Sequence, residues 1–403
     1  MKLFLFCGSL AVGKGGAERI ATELAAEMKR RGHDVWLGFN GPGEPAYGVP
    51  NGVSAFSRDK EDSDGFRQRL IEIDPDVIFI FYTNQELLRL FSLVGGLGFP
   101  LAVQECTNPE RLYRNNWKSI VQRSGGALWE RELVASACVR LRMVMPGYEN
   151  SFPEYIRANV RAYPNYAMPP LEGGAENSSG RKRIINIGGL KRNKNLPALL
   201  AAFGLIKSEF PEWDIYVYGG GTRATESYRH DIDTLIVQHG LEGRVFFPGA
   251  LQDISYEYQK ADLHVITSPS EGCPGCVLEA MAHGIPSIGS AACHGTNVLI
   301  NSSNGVLYDE RSEVVSLAAA LKDLMRDEEL RVRLGKKALS DSRNFSPQQT
   351  YDNWEALFFE AASYKGNLGR LYNEQFRVDP ERAAHMRRCR ERLLVEGKAW
   401  LVC

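Results

Sequence analysis

The stretch LHVITSPSEGCPGCVLEAMAHGIPSIG, residues 263–289, sets the terms for the whole chain. Leu263 to Ile266 is a short apolar run of strand type, and the Pro and Gly residues that follow it mark a loop. A helix is expected to begin near Gly275 or Cys276. Glu271 then falls on the loop and Glu279 on the first helical turn, with the free backbone amides of the helix start between them. Strand, glycine-bearing loop and helix in succession are the repeating unit of an α/β protein.

The same alternation runs outward in both directions. Upstream, the strands Asp214–Tyr218 and Val245–Phe247 are separated by a helical stretch around Glu226–Gln238. Ile184–Ile187 and a helix over Leu196–Phe210 precede them. An earlier series opens with Lys2–Phe6, a strand buried on both faces. A helix follows from Ala17 to Arg31, with the apolar stripe Ile20, Leu24, Ala25 and Met28, and Gly32 ends it. Strands at Val35–Phe39, Asp76–Phe81, Leu101–Gln104 and Arg142–Met145 continue that series. Between the two series lies PNYAMPPLEGGAENSSGRKR, residues 164–183, which has linker composition. The fold class is therefore α/β, with two doubly wound parallel sheets. Ligands of such sheets bind beyond the carboxyl ends of the strands, so the cleft between the domains is the expected site.

Composition narrows the function. At 403 residues the chain has length for roughly two to three domains. Lys and Arg number 48 against 49 acids, a balance that argues against nucleic acid as a partner. No run approaches the ~18 apolar residues that a membrane-spanning helix needs. The opening MKLFLFCGSLAV reads as a buried first strand rather than a signal segment. Eight dispersed cysteines exclude a small disulfide scaffold and suggest a cytoplasmic location. The tail over residues 363–403 carries a basic excess.

Several candidate sites invite a functional and a plain reading. Gly8 to Gly15 nearly fits G-x-x-x-x-G-K-[ST], but Gly15 stands where the magnesium-holding hydroxyl belongs. What survives is a glycine turn whose amides, with Gly16 and the start of the helix, face an anion. Glu18 is either part of that site or an ordinary N-terminal helix acid. Asp231-Ile-Asp233 has the look of a metal-nucleotide motif, yet it lies within a helical stretch and reads as a solvated face. Cys273-Pro-Gly-Cys276 with Cys293-His294 has zinc-like spacing but lacks a second C-x-x-C, so no metal is expected. Glu271 and Glu279 suit sugar and ribose hydroxyls, and the amides between them suit a diphosphate; the plain reading is two surface acids near a helix start.

The spacing Glu271-x7-Glu279, with Glu271-Gly272, Glu279-Ala280-Met281-Ala282 and Gly284-x-Pro286, resembles retaining glycosyltransferases of family 4, which have the two-domain GT-B fold. Gly15-Gly16-Ala17-Glu18, Gly147-Tyr148 through Pro164-Asn165, and Pro248-Gly249 through Tyr258 to Ala261-Asp262 carry the resemblance over roughly residues 1–360. It implies an acceptor-binding domain over 1–165, a linker over 166–182 and a donor-binding domain over 183–346. A helix over 347–362 returns to the first domain. Glu271 is implied to hold the donor sugar's hydroxyls and Glu279 its ribose. The amides of Gly272, Gly275, Cys276 and Val277 would lie near the sugar and diphosphate, approached by Gly16 from the other domain. The family's basic pair is an Arg followed five residues later by Lys. Lys194 matches the second, but Gly189 stands at the first, leaving Lys191 or Arg192 as substitutes. Where many members carry a His after the strand Leu101–Gln104, this chain has Glu105-Cys106-Thr107-Asn108, and Glu105 is the candidate replacement.

The resemblance implies transfer, with retention, of a hexose or N-acetylhexosamine from a nucleotide diphosphate sugar, UDP-sugar expected. The acceptor would be a saccharide or lipid-linked, in bacterial surface polysaccharide synthesis, with neither cofactor nor metal. A basic, aromatic segment with Arg111, Tyr113, Arg114, Trp117, Lys118 and Arg123 reads as touching anionic membrane, or as an ordinary solvated helix. The rival reading is a catalytically silent GT-B subunit that only binds a nucleotide sugar or a partner.

Overall fold

The computed structural model describes residues 1–11, 15–58, 63–82, 94, 97–109, 135, 138–152, 154–174, 177, 180–220, 226–251 and 253–367. It divides into two units, Met1–Pro164 with the chain from Gln348 onward, and Asn165–Pro347.

Among the described residues the first unit has strands β1 (Lys2–Cys7), β2 (Asp34–Phe39), β3 (Ser54–Ser57), β4 (Val77–Tyr82), β5 (Leu101–Glu105), β6 (Arg140–Met143) and β7 (Val160–Ala162). They form one parallel sheet in the order β3-β2-β1-β4-β5-β6-β7. Helices α1 (Gly16–Arg30), α2 (Ser63–Ile73) and α3 (Glu154–Arg157) belong to it. β1 is buried from Leu3 to Cys7 because a parallel strand in mid-sheet is covered on both faces. α1 buries Ile20, Leu24, Ala25 and Met28 and ends where Gly32 turns left-handed at φ +87.

The second unit has β8 (Lys182–Ile187), β9 (Trp213–Tyr218), β10 (Val245–Gly249), β11 (Leu263–Val265), β12 (Ser287–Ser290) and β13 (Gly305–Tyr308). They too are parallel, in the order β10-β9-β8-β11-β12-β13. Its helices are α4 (Leu196–Ile206), α5 (Glu226–Gln238), α6 (Ser255–Gln259), α7 (Gly275–Ala282), α8 (His294–Asn297), α9 (Glu313–Arg326) and α10 (Glu328–Ser342). Its core packs Phe203, Leu199, Leu317 and Leu321 around Trp213, Ile215 and Ile232.

The last described helix, α11 (Pro347–Ala362), belongs to the first unit and buries Trp354, Leu357, Phe358 and Ala361. Arg142, completely buried, lies between the rings of Tyr163 and Trp354, 4.3 Å from each centroid. Its guanidinium donates to Gln104 Oε1 and to the carbonyls of Tyr163 and Pro164 at 3.1 and 3.0 Å. Trp354 Nε1 donates to the same Gln104 oxygen at 3.2 Å. A buried charge is tolerable here because both terminal nitrogens find acceptors and its faces find aromatic rings.

Most boundaries differ from the sequence reading by a residue or two, and three differences bear on the core or the site. β6 covers Arg140–Met143 rather than Arg142–Met145: the apolar run Met143-Val144-Met145 draws the expectation onward, while the strand itself buries Leu141, Arg142 and Met143. α4 stops at Ile206 and tightens into a 3-10 turn over Lys207–Glu209 instead of reaching Phe210. Glu279 is the fifth residue of α7, beyond its first turn.

Candidate active site

In the second unit the chain steps from β8 to β9 on one side and returns to β11 on the other. The carboxyl ends of β8 and β11 are thus the point where the strand order reverses, the usual ligand position in an open α/β sheet. Lys194 closes the 3-10 turn Arg192–Lys194 after β8, and Glu271 lies in the loop after β11. Lys194 Nζ donates to Glu271 Oε1 at 2.5 Å. Thr267 Oγ1 donates to the Lys194 carbonyl at 2.8 Å, which ties the two loops together. Asn195, left-handed at φ 50, donates from Nδ2 to Glu313 Oε1 at 2.7 Å and sets the start of α4. Burial alone would lower the Lys194 pKa; the Glu271 carboxylate outweighs it and holds the ammonium above the ordinary lysine value.

Glycines shape this edge. A Cβ on Gly188 would stand 2.9 Å from Lys194 Cγ, so the lysine stem lies directly on that glycine. Gly189 has φ +65, and a Cβ there would run into the Gly220 carbonyl. The position where the resemblance implies an Arg is therefore closed to any side chain in this backbone, which is the physical basis of that departure. A Cβ on Gly295 would meet the Glu271 and Gly272 carbonyls at 2.5 and 2.7 Å, so the start of α8 braces the glutamate loop.

Glu279 is buried, 7% exposed, and its Oε2 accepts from the Tyr258 hydroxyl at 3.1 Å. The same hydroxyl lies 3.0 Å from the Cys276 carbonyl. Gly275 and Cys276 occupy the first two helical positions, where amides have no acceptor within the helix. The Val277 amide, also expected to face a ligand, is taken by the Pro274 carbonyl at 3.0 Å. Desolvation pushes the Cys276 thiol up to about 12, so it is a thiol rather than a thiolate at neutral pH.

Lys191 is exposed, and Arg192 pairs with Asp231 at 2.7 Å and lies 4.7 Å above the Tyr228 ring. Asp233 pairs with Arg229 at 2.9 Å. Both aspartates thus serve as counter-ions on a solvated helix. Among the described residues no three His, Cys, Asp or Glu side chains gather as a metal-ion group.

In the first unit Gly16 opens α1, and a Cβ there would meet nothing within 4 Å. Glu18 folds back over Gly15 and accepts from Ser9 Oγ. Glu105 is the last residue of β5 and is 1% exposed, while Cys106 and Thr107 beside it are half-buried. The structure thus brings Lys194, Glu271, Glu279, Gly189, Gly272, Gly275 and Cys276 to one edge of the second sheet and leaves Arg192 on its flank. Gly16 and Glu105 lie in the other unit. Gly13, Lys14, the segment with Arg111, Tyr113, Arg114, Trp117, Lys118 and Arg123, and the tail beyond 367 lie outside the described residues. Sequence reasoning missed Thr267, Asn195 and the role of Tyr258; no local pattern signals which way their polar atoms point. No helix among the described residues is long and apolar enough to cross a membrane.

Comparison with known proteins adds to this geometry. Residues 173–341 match the family model of glycosyl transferases group 1. An uncharacterized glycosyltransferase of Haemophilus influenzae is 20% identical over 85% of this chain and 96% of its own length. The GalNAc-alpha-(1->4)-GalNAc-alpha-(1->3)-diNAcBac-PP-undecaprenol alpha-1,4-N-acetyl-D-galactosaminyltransferase of Campylobacter jejuni is 22% identical over 89% of this chain and 99% of its own. Among solved structures, Anabaena Alr3699/HepE in complex with UDP and glucose superposes with a TM-score of 0.70 at 17% identity, covering 88% of this chain and 98% of that one. Residues 173–341, within the second unit, thus resemble group 1 glycosyl transferases, and the chain has the GT-B fold.

Proposed function

We propose that this protein is a retaining glycosyltransferase that moves a hexose or N-acetylhexosamine from a UDP-sugar to a saccharide or lipid-linked acceptor in bacterial surface polysaccharide synthesis. The observation that carries the reading is the Lys194–Glu271 pair, with Glu279 beside it, at the strand-order reversal of the second sheet. The relatives' names support the substrate classes: HepE is described with UDP and glucose, and the Campylobacter jejuni enzyme acts on an undecaprenol-linked saccharide.

In the reaction proposed, the bond from the sugar's anomeric carbon to the diphosphate oxygen breaks. The acceptor oxygen bonds the same carbon on the same face, and the acceptor's proton passes to the departing phosphate oxygen. Charge therefore develops on the diphosphate, and the work of the site is to stabilise it. Lys194 supplies a positive charge, and the Gly275 and Cys276 amides supply donors at a helix start. Glu271 takes sugar hydroxyls and Glu279 the ribose. Lys191, Arg192, Gly189, Gly272, Val277 and Gly16 are assigned to donor binding, and Glu105 to catalysis beside Lys194 and Glu271. The reaction proposed uses no metal or other cofactor, and the enzyme works in the cytoplasm, in peripheral contact with anionic membrane.

The test is release of nucleoside diphosphate from a panel of nucleotide sugars with and without saccharide and lipid-linked acceptors, in the presence of EDTA. Acceptor-dependent release with an α-linked product from an α-linked donor is the expected result. Donor binding without release under every condition favours the silent-subunit reading, which the closed Gly189 position and the buried Glu105 carboxylate motivate.

A further inference from the structure

We propose that Tyr258 is a positioning residue for the nucleotide donor, acting through the orientation it imposes on the Glu279 carboxylate. The proposal rests on the reading of Glu279 as the donor's ribose ligand.

The case begins with a mismatch between sequence and burial. α6 is the five-residue segment SYEYQ, polar at most positions and too short to form a hydrophobic face, yet Tyr258 within it is 0% exposed. A phenol in that position requires a partner for its hydroxyl. Two partners lie on α7: the Cys276 carbonyl at 3.0 Å and Glu279 Oε2 at 3.1 Å. A single O–H proton shared between a carbonyl of the first turn and the carboxylate one turn later pins the hydroxyl along the helix flank. It also pins the carboxylate. The terminal torsion of a glutamate is broad and weakly restrained, and a hydrogen bond to one oxygen fixes where the other points.

The ring that carries the hydroxyl is itself held. It stacks on His283, centroid to centroid 5.1 Å and 25° apart. His283 Nδ1 lies 2.7 Å from the Glu279 carbonyl and its Nε2 lies 2.8 Å from Ser255 Oγ. Ser255 Oγ in turn accepts from the Leu171 amide at 3.0 Å. Ser255 and Tyr258 on α6 thus grip both the carboxylate of Glu279 and the end of the helix that bears it. A carboxylate meant to meet two ribose hydroxyls gains from such preorganisation, because less freedom is lost on binding.

Tyr258→Phe keeps the ring and its stacking and removes only the hydroxyl. The measurement is the Kd of the nucleoside diphosphate (UDP, GDP or ADP) that wild type binds most tightly, by calorimetry, with thermal unfolding of the free protein alongside. Tyr258→Phe is expected to raise that Kd about three- to tenfold, the scale of one hydrogen bond. On a Glu279→Ala background the same substitution is expected to add nothing, since the carboxylate it orients is gone. An unchanged Kd in Tyr258→Phe, where Glu279→Ala weakens binding, overturns this proposal alone. Full additivity of the two substitutions, or a loss that follows thermal destabilisation only, overturns it as well. If Glu279→Ala itself leaves the Kd unchanged, the ribose assignment fails and the proposal falls with it.

Discussion

Lys194 Nζ and Glu271 Oε1 stand 2.5 Å apart although 77 positions separate them, because β8 and β11, from which their loops emerge, are hydrogen-bonded neighbours. Each is mostly buried, with side-chain exposures of 21% and 14%. Without ligand they neutralise one another. Under the function proposed, a donor that is anionic at its diphosphate and hydroxylated at its sugar would replace both halves of the pair, whereas free phosphate would replace only one.

Lys194→Ala is expected to lower kcat/KM for donor about ten- to hundredfold, the range set by one charge-assisted hydrogen bond at ~1.4 kcal/mol per decade. Because the Lys194 pKa lies above its ordinary value of 10.5, its favourable charge is present at neutral and mildly alkaline pH and is lost only as pH rises through that raised pKa. Rate against pH in wild type should therefore show no alkaline fall assignable to Lys194 below about pH 10. Full activity in Lys194→Ala refutes the assignment.

Gly189→Ala is expected to destabilise the protein by at least ~1–2 kcal/mol, the cost of a left-handed non-glycine residue, before the clash with the Gly220 carbonyl is added. Urea titration of the variant reads this directly. A stability equal to wild type means the loop takes another backbone path. Gly189→Arg, which restores the side chain implied by the family resemblance, is expected to lose stability rather than gain activity.

Trp354→Ala removes a completely buried indole and one of the two rings enclosing Arg142. A loss of roughly 3–5 kcal/mol is expected from the packing change. Because α11 belongs to the first unit, the loss should appear in the unfolding of that unit, followed by hydrogen exchange of β1 and β5 amides. Protection of those strands unchanged from wild type contradicts the packing described.

His264 is completely buried, its Nδ1 2.9 Å from Ser287 Oγ, and burial holds its pKa down at about 3 against an ordinary 6.5. The folded protein thus keeps this imidazole neutral where the unfolded chain would protonate it. The associated stability is complete above pH 6.5 and falls as pH drops toward 3. One proton corresponds to a slope of up to ~1.4 kcal/mol per pH unit. His264→Gln, which cannot titrate, is expected to flatten the fall in unfolding free energy between pH 6 and 4. Parallel slopes in the two proteins would exclude the histidine as its source.

The mid-sheet strands and the glutamate spacing were legible because each is written locally. β1 and β4 are apolar on both faces, and Glu271-x7-Glu279 needs only a loop and a helix to make sense. β6 was displaced by two residues because Met143-Val144-Met145 is a more apolar run than Arg140-Leu141. What makes Arg142 a core residue is Gln104, Tyr163 and Trp354, far off in sequence. The same limit hid the pairing of Lys194 with Glu271, the counter-ion of Arg192 and the burial of Glu105. A charged residue's partner is a property of the fold, and spacing along the chain carries no record of it.

The first unit is assembled from both ends of the chain, with Arg31 and His33 each bonded to Glu355 of α11 at 2.7 and 2.8 Å and Gln104 bonded to Trp354. On the ribosome, the part of the first unit made before the second unit must therefore wait for the part made after it. Until translation passes residue 354, Arg142 has half its aromatic enclosure and the sheet has an uncovered apolar flank. Nascent chains stalled before that point should engage chaperones through the first unit, even while the second is already folded.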